Sequence, residues 1–297
     1  MKAHPMEMVK RLVLILTVLS ALLFLYGYLP GRLTIRVTET EIPFENLPDD
    51  LRGIRIIHVS DLHLDSFRRN RRAVERLVKR INSLSPDLVF DTGDFITVDH
   101  TEFGRFDTIL ARIESTHGKF AILGNHDIGT YIENVNDSII ELTIDSVSTK
   151  ISRSGYHILD SSNVKLNIGE AVLAIAGAQT RGRHPGIIHP DPSVALEGTD
   201  DADMRILLSH DPSHWDYIIR HHPSAGLTLA GHTHAMQFGI SAGKWKWSPA
   251  KYTFPRWWGL YSLGNQYLYV NRGFGTLGIP VRIGMRPEIA VLILVSK

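Results

Sequence analysis

Cysteine is absent from the 297 residues. That excludes disulfide staples, thiolate zinc sites, iron–sulfur clusters and a cysteine nucleophile together, and leaves the redox compartment open. A dominant charge is missing too. Lys plus Arg is 32 and Asp plus Glu is 31, a formal net charge of +1, so nothing in the whole-chain balance argues for a nucleic-acid partner. There are no internal repeats or low-complexity tracts, and 43% hydrophobic against 21% charged residues excludes intrinsic disorder. What is there suits one large α/β unit with ample core material. Histidine is abundant, 15 in all, and unevenly spread.

Leu12 to Leu29 is an uncharged apolar run. At a helical rise of about 1.5 Å per residue it spans roughly 27 Å, close to the hydrocarbon thickness of a bilayer. Lys10 and Arg11 precede it, and Tyr26 and Tyr28 lie at its far end as interfacial anchors would. A cleaved signal peptide has a similar outline, but the run is long for one and Tyr28-Leu29-Pro30 is a poor small-residue cleavage site. The reading is a single-pass N-terminal membrane anchor. Lys2, Lys10 and Arg11 against Arg32 and Arg36 tip only slightly toward an inside N-terminus, and the facing side stays open. The expected organisation is a tail (1–11), a transmembrane anchor (12–29), a connector with a strand over Leu33–Thr40 (30–52) and one domain (53–297).

Within that domain a short aliphatic run ends in a polar cluster five times. Ile54–Ser60 leads into Asp61-Leu62-His63, Leu88–Phe90 into Gly93-Asp94, and Phe120–Leu123 into Gly124-Asn125-His126-Asp127. Ile206–Ser209 leads into His210, and Leu227–Ala230 into Gly231-His232-Thr233-His234. Continuous apolar runs of this length suit strands buried on both faces. Helical spacing over Arg71–Leu84 and Glu102–Thr116 separates the first three. The pattern predicts a parallel βαβαβ unit whose strand carboxyl ends share one edge, where open α/β sheets bind ligands.

Asp61, His63, Asp94, Asn125, His210, His232 and His234 all offer oxygen or imidazole nitrogen. Mixed donors of this kind suit borderline first-row divalent ions such as manganese, iron or zinc. Seven are too many for one tetrahedral zinc with an open position, and about right for two ions sharing a bridging carboxylate. Each fragment alone reads as an ordinary turn or a satisfied hydrogen bond. Their joint occurrence, in order, at successive strand ends carries the argument.

This series resembles the calcineurin-like metallophosphoesterase superfamily over roughly Gly53 to the C-terminus. Ser209-His210-Asp211-Pro212, the stretch Tyr269–Gly275, Arg282 and Pro287-Glu288 resemble its membrane-associated bacterial branch, which includes UDP-diacylglucosamine hydrolases. The resemblance implies a metallo-dependent phosphatase fold, an α/β four-layer sandwich of two mixed β-sheets flanked by helices, behind one N-terminal transmembrane helix in a bacterial cytoplasmic membrane. It implies that Asp61, His63 and His234 bind one divalent ion, that Asn125, His210 and His232 bind a second, and that Asp94 bridges them. His126 would assist the leaving group, Asp127 would orient its imidazole, and a metal-bridging hydroxide would attack. Ala235-Met236 replaces the family's Gly-Gly, and Ala176–Thr180 lacks an Asp that relatives often carry. Both departures fall where substrate selectivity is set.

Trp245, Trp247, Trp257 and Trp258 fall close together with Tyr252, Phe254 and Tyr261, interleaved with Lys244, Lys246, Lys251 and Arg256. They read either as a core-packed loop or as a membrane-facing aromatic surface. Arg68, Arg69, Arg71 and Arg72 read as a solvated helix start or as phosphate ligands beside the cleft. The expected function is hydrolysis of a phosphoester or diphosphate bond in a lipid-linked or nucleotide–lipid substrate. The alternatives are a general phosphodiesterase tethered to the membrane and a metal-binding scaffold without turnover.

Overall fold

The computed structural model describes residues 5–180, 182, 186, 188–243 and 245–297; Lys2 and Lys244 lie outside the described residues. One six-stranded sheet has the order β1 (Arg36–Phe44), β14 (Glu288–Ser296), β2 (Arg55–Val59), β3 (Leu88–Asp91), β4 (Lys119–Ala121) and β5 (His157–Ile158). Only the β14–β2 pairing in it is antiparallel. A second six-stranded sheet runs β12 (Gly259–Leu263), β13 (Gln266–Val270), β9 (Leu227–Ala230), β8 (Met204–Ser209), β7 (Ala171–Ala178) and β6 (Ser162–Ile168). Its outer pairings are antiparallel and its inner ones parallel. A hairpin of β10 (Ile240–Ala242) and β11 (Trp245–Trp247) stands apart. The fold is α/β with two mixed sheets, as the resemblance implies.

The alternation of side chains along these strands explains the layers. Ile56, Phe90, Leu292, Ile175, Leu208 and Leu229 meet in one cluster between the sheets. Their neighbours Ile57, Val59, Val89 and Val291 point outward onto helix α2 (Arg71–Asn82) and helix α4 (Asp137–Arg153). On the opposite outer face, Leu207, Ala230 and Val270 pack under α5 (Ser193–Leu196) and α6 (Trp215–His221). Strands buried on both faces read as unbroken apolar runs, and the five expected strands all form.

Other expectations shift. The spacing over Glu102–Thr116 is not one helix but a 3-10 turn over His100–Phe103 and the single-turn helix α3 (Asp107–Leu110). Gly104 between them takes φ 50°, in the left-handed region that stops a helix. Phe103, Phe106, Ile109, Leu110 and Ile113 are all buried, so the spacing reported burial rather than helix. The strand expected over Leu33–Thr40 starts at Arg36 and runs to Phe44, pairing in full with β14. The stretch read as a connector thus forms the edge of the first sheet. Helix α4 has no counterpart in the sequence reading. Only Thr143, Val147 and Ile151 of its 17 residues are buried, too sparse a stripe to register.

The aromatic loop divides between core and surface. Trp257 and Trp258 are buried with Ala235, Ala250 and Met285. Arg256 makes a bidentate pair with Asp216, and Lys246 donates to the Trp258 carbonyl at 2.5 Å. Trp245 and Tyr252 remain exposed. The apolar run forms most of helix α1 (Pro5–Tyr26), whose described side chains are all exposed, and its last three residues enter the turn that follows. An apolar stretch left uncovered over that length fits a lipid environment rather than a protein core.

Candidate metal centre

The parallel strands β2, β3 and β4 of one sheet and β8 and β9 of the other all end at one edge. The polar clusters follow directly. Five of the seven expected donors, Asp61, His63, Asp94, His232 and His234, adopt left-handed φ values between 38° and 68°. Non-glycine residues rarely do so, and at about 1–3 kcal/mol each such strain persists only where the surroundings dictate it. These residues fall within about four positions of their strand ends, so the turns set where each side chain points. Gly124 shows how tight the packing is: a Cβ there would strike the carboxylate of Asp94.

Three donor groups come together, each with ligand atoms within 4.8 Å: Asp61, His63 and His234; His63, Asp94 and His126; and Asp94, His210 and His232. The first holds the three residues expected at one ion, and the third brings Asp94 together with two of the three expected at the other. His63 Nε2 lies 3.1 Å from His234 Nε2, and His210 Nε2 lies 3.0 Å from Asp94 Oδ2 and 3.3 Å from His232 Nδ1. Asp61 also accepts the backbone N–H of His232 at 3.0 Å, tying the first strand end to the last.

The far nitrogens of three imidazoles have partners: His210 Nδ1 with the Thr92 carbonyl (2.7 Å), His63 Nδ1 with the Thr97 hydroxyl (3.2 Å), and His234 Nδ1 with Arg282 Nη2 (3.2 Å). Arg282 is itself fixed by the carbonyls of Gly275, Arg272 and Met285. Such outer contacts set ring orientation and leave Nε2 facing the cluster.

The site is dense in buried acid. Burial, reinforced by Asp94, pushes the carboxyls of Asp61 and Asp127 up to about 7. For Asp94, burial is outweighed by the imidazoles of His210, His126 and His63, and its pKa falls well below the usual range. For His210, burial is likewise outweighed, by Asp94, and the imidazole rises to about 10. Burial drives His63 down to about 3. Buried carboxylates with only partial compensation call for added positive charge. Asn125 adds a second sign. Its Oδ1 is buried and has no hydrogen-bond partner among the described residues, while its Nδ2 donates to the Tyr131 hydroxyl at 2.8 Å. An orphaned carboxamide oxygen beside nitrogen and oxygen donors fits divalent cations of the borderline class.

His126 lines a cleft of about 430 Å³ together with Asp94, Thr97, Val98, Tyr131, His232, Phe254 and Leu277. Its Nδ1–H donates to the Thr97 carbonyl at 2.5 Å. Tyr131 stacks on the ring at 4.0 Å between centroids and 7°. Asp127, expected to orient this imidazole, does not hydrogen-bond it. Its Oδ2 accepts from the amides of Asp94 (2.8 Å) and Gly124 (2.9 Å), and its Oδ1 from Ile96 (3.1 Å). It locks the two donor loops together. Adjacent residues on a turn point apart, and sequence proximity to His126 gave no guide to direction.

Thr97 and Tyr131 escaped the sequence reading. One acts through its main chain and the other by stacking, and neither leaves a motif. Arg68, Arg69, Arg71 and Arg72 are exposed and do not line the cleft, so the solvated helix start is the correct description of them.

Comparison with known proteins gives a consistent picture. A family model described as calcineurin-like phosphoesterase matches residues 54–237. A protein of Danio rerio named transmembrane protein with metallophosphoesterase domain is 30% identical over 287 residues, covering 93% of this chain and 61% of its own length. The chain therefore spans under two thirds of that relative. The uncharacterized metallophosphoesterase YkuE of Bacillus subtilis is 29% identical over 272 residues, covering 88% of this chain and 86% of its own. The UDP-2,3-diacylglucosamine pyrophosphatase LpxG of Chlamydia muridarum is 24% identical over 292 residues, covering 82% of this chain and 84% of its own.

Proposed function

Because the chain belongs to the calcineurin-like phosphoesterase family, we propose that it hydrolyses a phosphoester or diphosphate bond at a site built for two divalent cations, with a lipid-linked or nucleotide–lipid substrate. The observation that carries this reading is the convergence of donors from two sheets around Asp94; the orphaned oxygen of Asn125, next in the chain to the Gly124 that packs on Asp94, supports it.

Asp61, His63 and His234 would hold one ion and Asn125, His210 and His232 the other, with Asp94 shared. When bound, the cations supply Lewis acidity to the phosphoryl oxygens and lower the pKa of water. The rest falls to the chain. The Thr97 carbonyl fixes the His126 tautomer and Tyr131 fixes its plane, so that Nε2 meets the leaving oxygen and delivers a proton to it. Asp127 keeps the Asp94 and Asn125 loops in register through main-chain amides. Val98, Phe254 and Leu277 form an apolar wall beside these groups, suited to an amphiphile. The exposed apolar helix α1 and the similarity to a protein named for a diacylated sugar nucleotide support the same substrate class.

The test compares purified full-length protein, supplied with Mn²⁺, on bis-p-nitrophenyl phosphate and on a detergent-dispersed lipid diphosphate. Turnover of both, with preference for the lipid, is expected; turnover of the soluble ester alone contradicts the lipid-linked reading. His126→Ala is expected to keep its metal content and lose about 100-fold or more in kcat. Unchanged turnover contradicts the role given to His126.

A further inference from the structure

The end of the apolar helix is seated on the domain. After α1 the chain makes one wide turn over Gly27–Gly31, where both glycines are buried. The Arg282 amide donates to the Gly27 carbonyl at 3.1 Å, and Arg286 Nη2 donates to the Tyr26 hydroxyl at 3.3 Å. A Cβ on Gly31 would collide with the Arg282 carbonyl oxygen, so the contact depends on glycine there. The helix exit therefore has a fixed position relative to residues 281–286.

That segment carries its neighbours with it. Phe238 bridges Ile283 and Gly284, and the Gln237 side chain donates to the carbonyls of Leu277 and Ile279 at 3.1 Å each. Residues 237–239 thus lie about one strand spacing, ~4.8 Å, from the segment that grips the helix. The group exposes large apolar side chains: Phe238, Ile240, Trp245, Leu277 and Ile279, the last 63% accessible. Leu277 also lines the cleft that holds His126 and Asp94. Exposed apolar side chains are therefore strung between the helix exit and the cleft. Just beyond the exit, Leu33, Thr34 and Ile35 floor a groove of about 600 Å³ walled by Arg76, Lys79 and Arg80, with no carboxylate in its lining. Cations above an apolar floor match anionic headgroups above acyl chains.

We infer that this face of the domain lies on the bilayer surface, with Phe238, Ile240, Trp245, Leu277 and Ile279 in the interfacial layer, so that the cleft takes its phosphoryl substrate from an amphiphile in the adjoining leaflet. The inference rests on the proposed function and on the apolar helix crossing a membrane. Continuity with the helix exit selects a lipid surface over a protein partner. A protein partner for the rim would have to bind flush against the membrane.

The absence of cysteine makes a direct test available, because one introduced thiol gives one label. Ile279→Cys and Leu263→Cys carry an environment-sensitive fluorophore in the full chain, reconstituted in phosphatidylcholine–phosphatidylglycerol vesicles with and without shallow doxyl-labelled lipid. Leu263 is an exposed control at the end of β12, beside the turn whose Asn265 accepts from the Glu45 amide just past the end of β1. Nine residues of β1 put it about 30 Å from the helix exit. Quenching of about twofold or more at position 279, with none at 263, is expected. Equal, weak quenching at both positions while the chain floats with the vesicles leaves the anchor standing and overturns the bilayer surface. A label at 279 shielded from aqueous iodide but not quenched by doxyl lipid means a protein or second copy covers the rim, and also overturns it. A chain that fails to float overturns the anchor and the inference together.

Ile279→Glu supplies an activity readout that does not depend on labelling. It is expected to leave hydrolysis of bis-p-nitrophenyl phosphate unchanged and to slow hydrolysis of a vesicle-embedded lipid diphosphate about tenfold. Equal rates on the vesicle substrate overturn the inference. Failure of the wild-type chain on both substrates overturns the hydrolytic reading, while the quenching result still decides the bilayer surface.

Discussion

A carboxamide presents its oxygen to a cation only if something holds its NH₂ group away. In this chain that partner is the Tyr131 hydroxyl, 2.8 Å from Asn125 Nδ2, and the same tyrosine keeps the His126 ring flat against its own. Tyr131→Phe keeps the stack and removes the acceptor. A single hydrogen bond of this kind is worth about 0.5–1.5 kcal/mol, so metal affinity at one of the two sites should fall about 3- to 10-fold. Calorimetric titration with Mn²⁺ checks this, and an unchanged isotherm means that Asn125 is oriented by something else. Asp61, His63, Asp94, His126, His210, His232 and His234, which the fold brings together, were legible in the sequence because each follows an apolar strand run within a few residues. Tyr131 and Thr97 were not, since stacking and main-chain acceptance place no constraint on residue type that one sequence reveals. Asp127 was legible as part of the site and misleading as to its partner, because its carboxylate turns back to the amides of Asp94, Gly124 and Ile96 rather than along the chain to His126.

At the scale of elements, the strand end is the working unit. A parallel strand, one or two left-handed residues and a donor recur at β2, β3 and β9, and the backbones of successive units pack closely enough to demand glycine. Gly124→Ala would push a methyl group into the Asp94 carboxylate. Overpacking of this sort costs about 1–3 kcal/mol, and here it would also displace Asp94, the proposed shared ligand. The variant should unfold at lower denaturant and bind fewer ions per chain. Wild-type stability together with full metal loading shows that the loop yields without cost. Strands buried on both faces were readable as apolar runs, whereas the helices were read less well. Glu102–Thr116 has helical spacing and buries the expected residues, but Gly104 bends the chain out of helix. Helix α4 buries too thin a stripe to be seen. Strand β1 was read three to four residues too early and without its place at the sheet edge, because its first residues are half-exposed and its partner, β14, lies some 250 positions away.

Across the whole molecule, two sheets close over one apolar interior and leave their carboxyl edges to share a polar rim. Donors from both sheets meet in each proposed site, so an ion held there would tie the halves of the sandwich together. An ion that binds only the native state stabilises it by mass action, about 2.7 kcal/mol at 100 times its dissociation constant. Thermal unfolding in Mn²⁺ should therefore occur several degrees higher than in EDTA. Equal midpoints contradict a site that draws on both sheets. The most direct test of the central claim is anomalous diffraction from crystals of the Mn²⁺-loaded protein. Two peaks are expected on opposite sides of the Asp94 carboxylate, one among Asp61, His63 and His234 and the other among Asn125, His210 and His232. A single peak, or none within bonding reach of Asp94, contradicts the account.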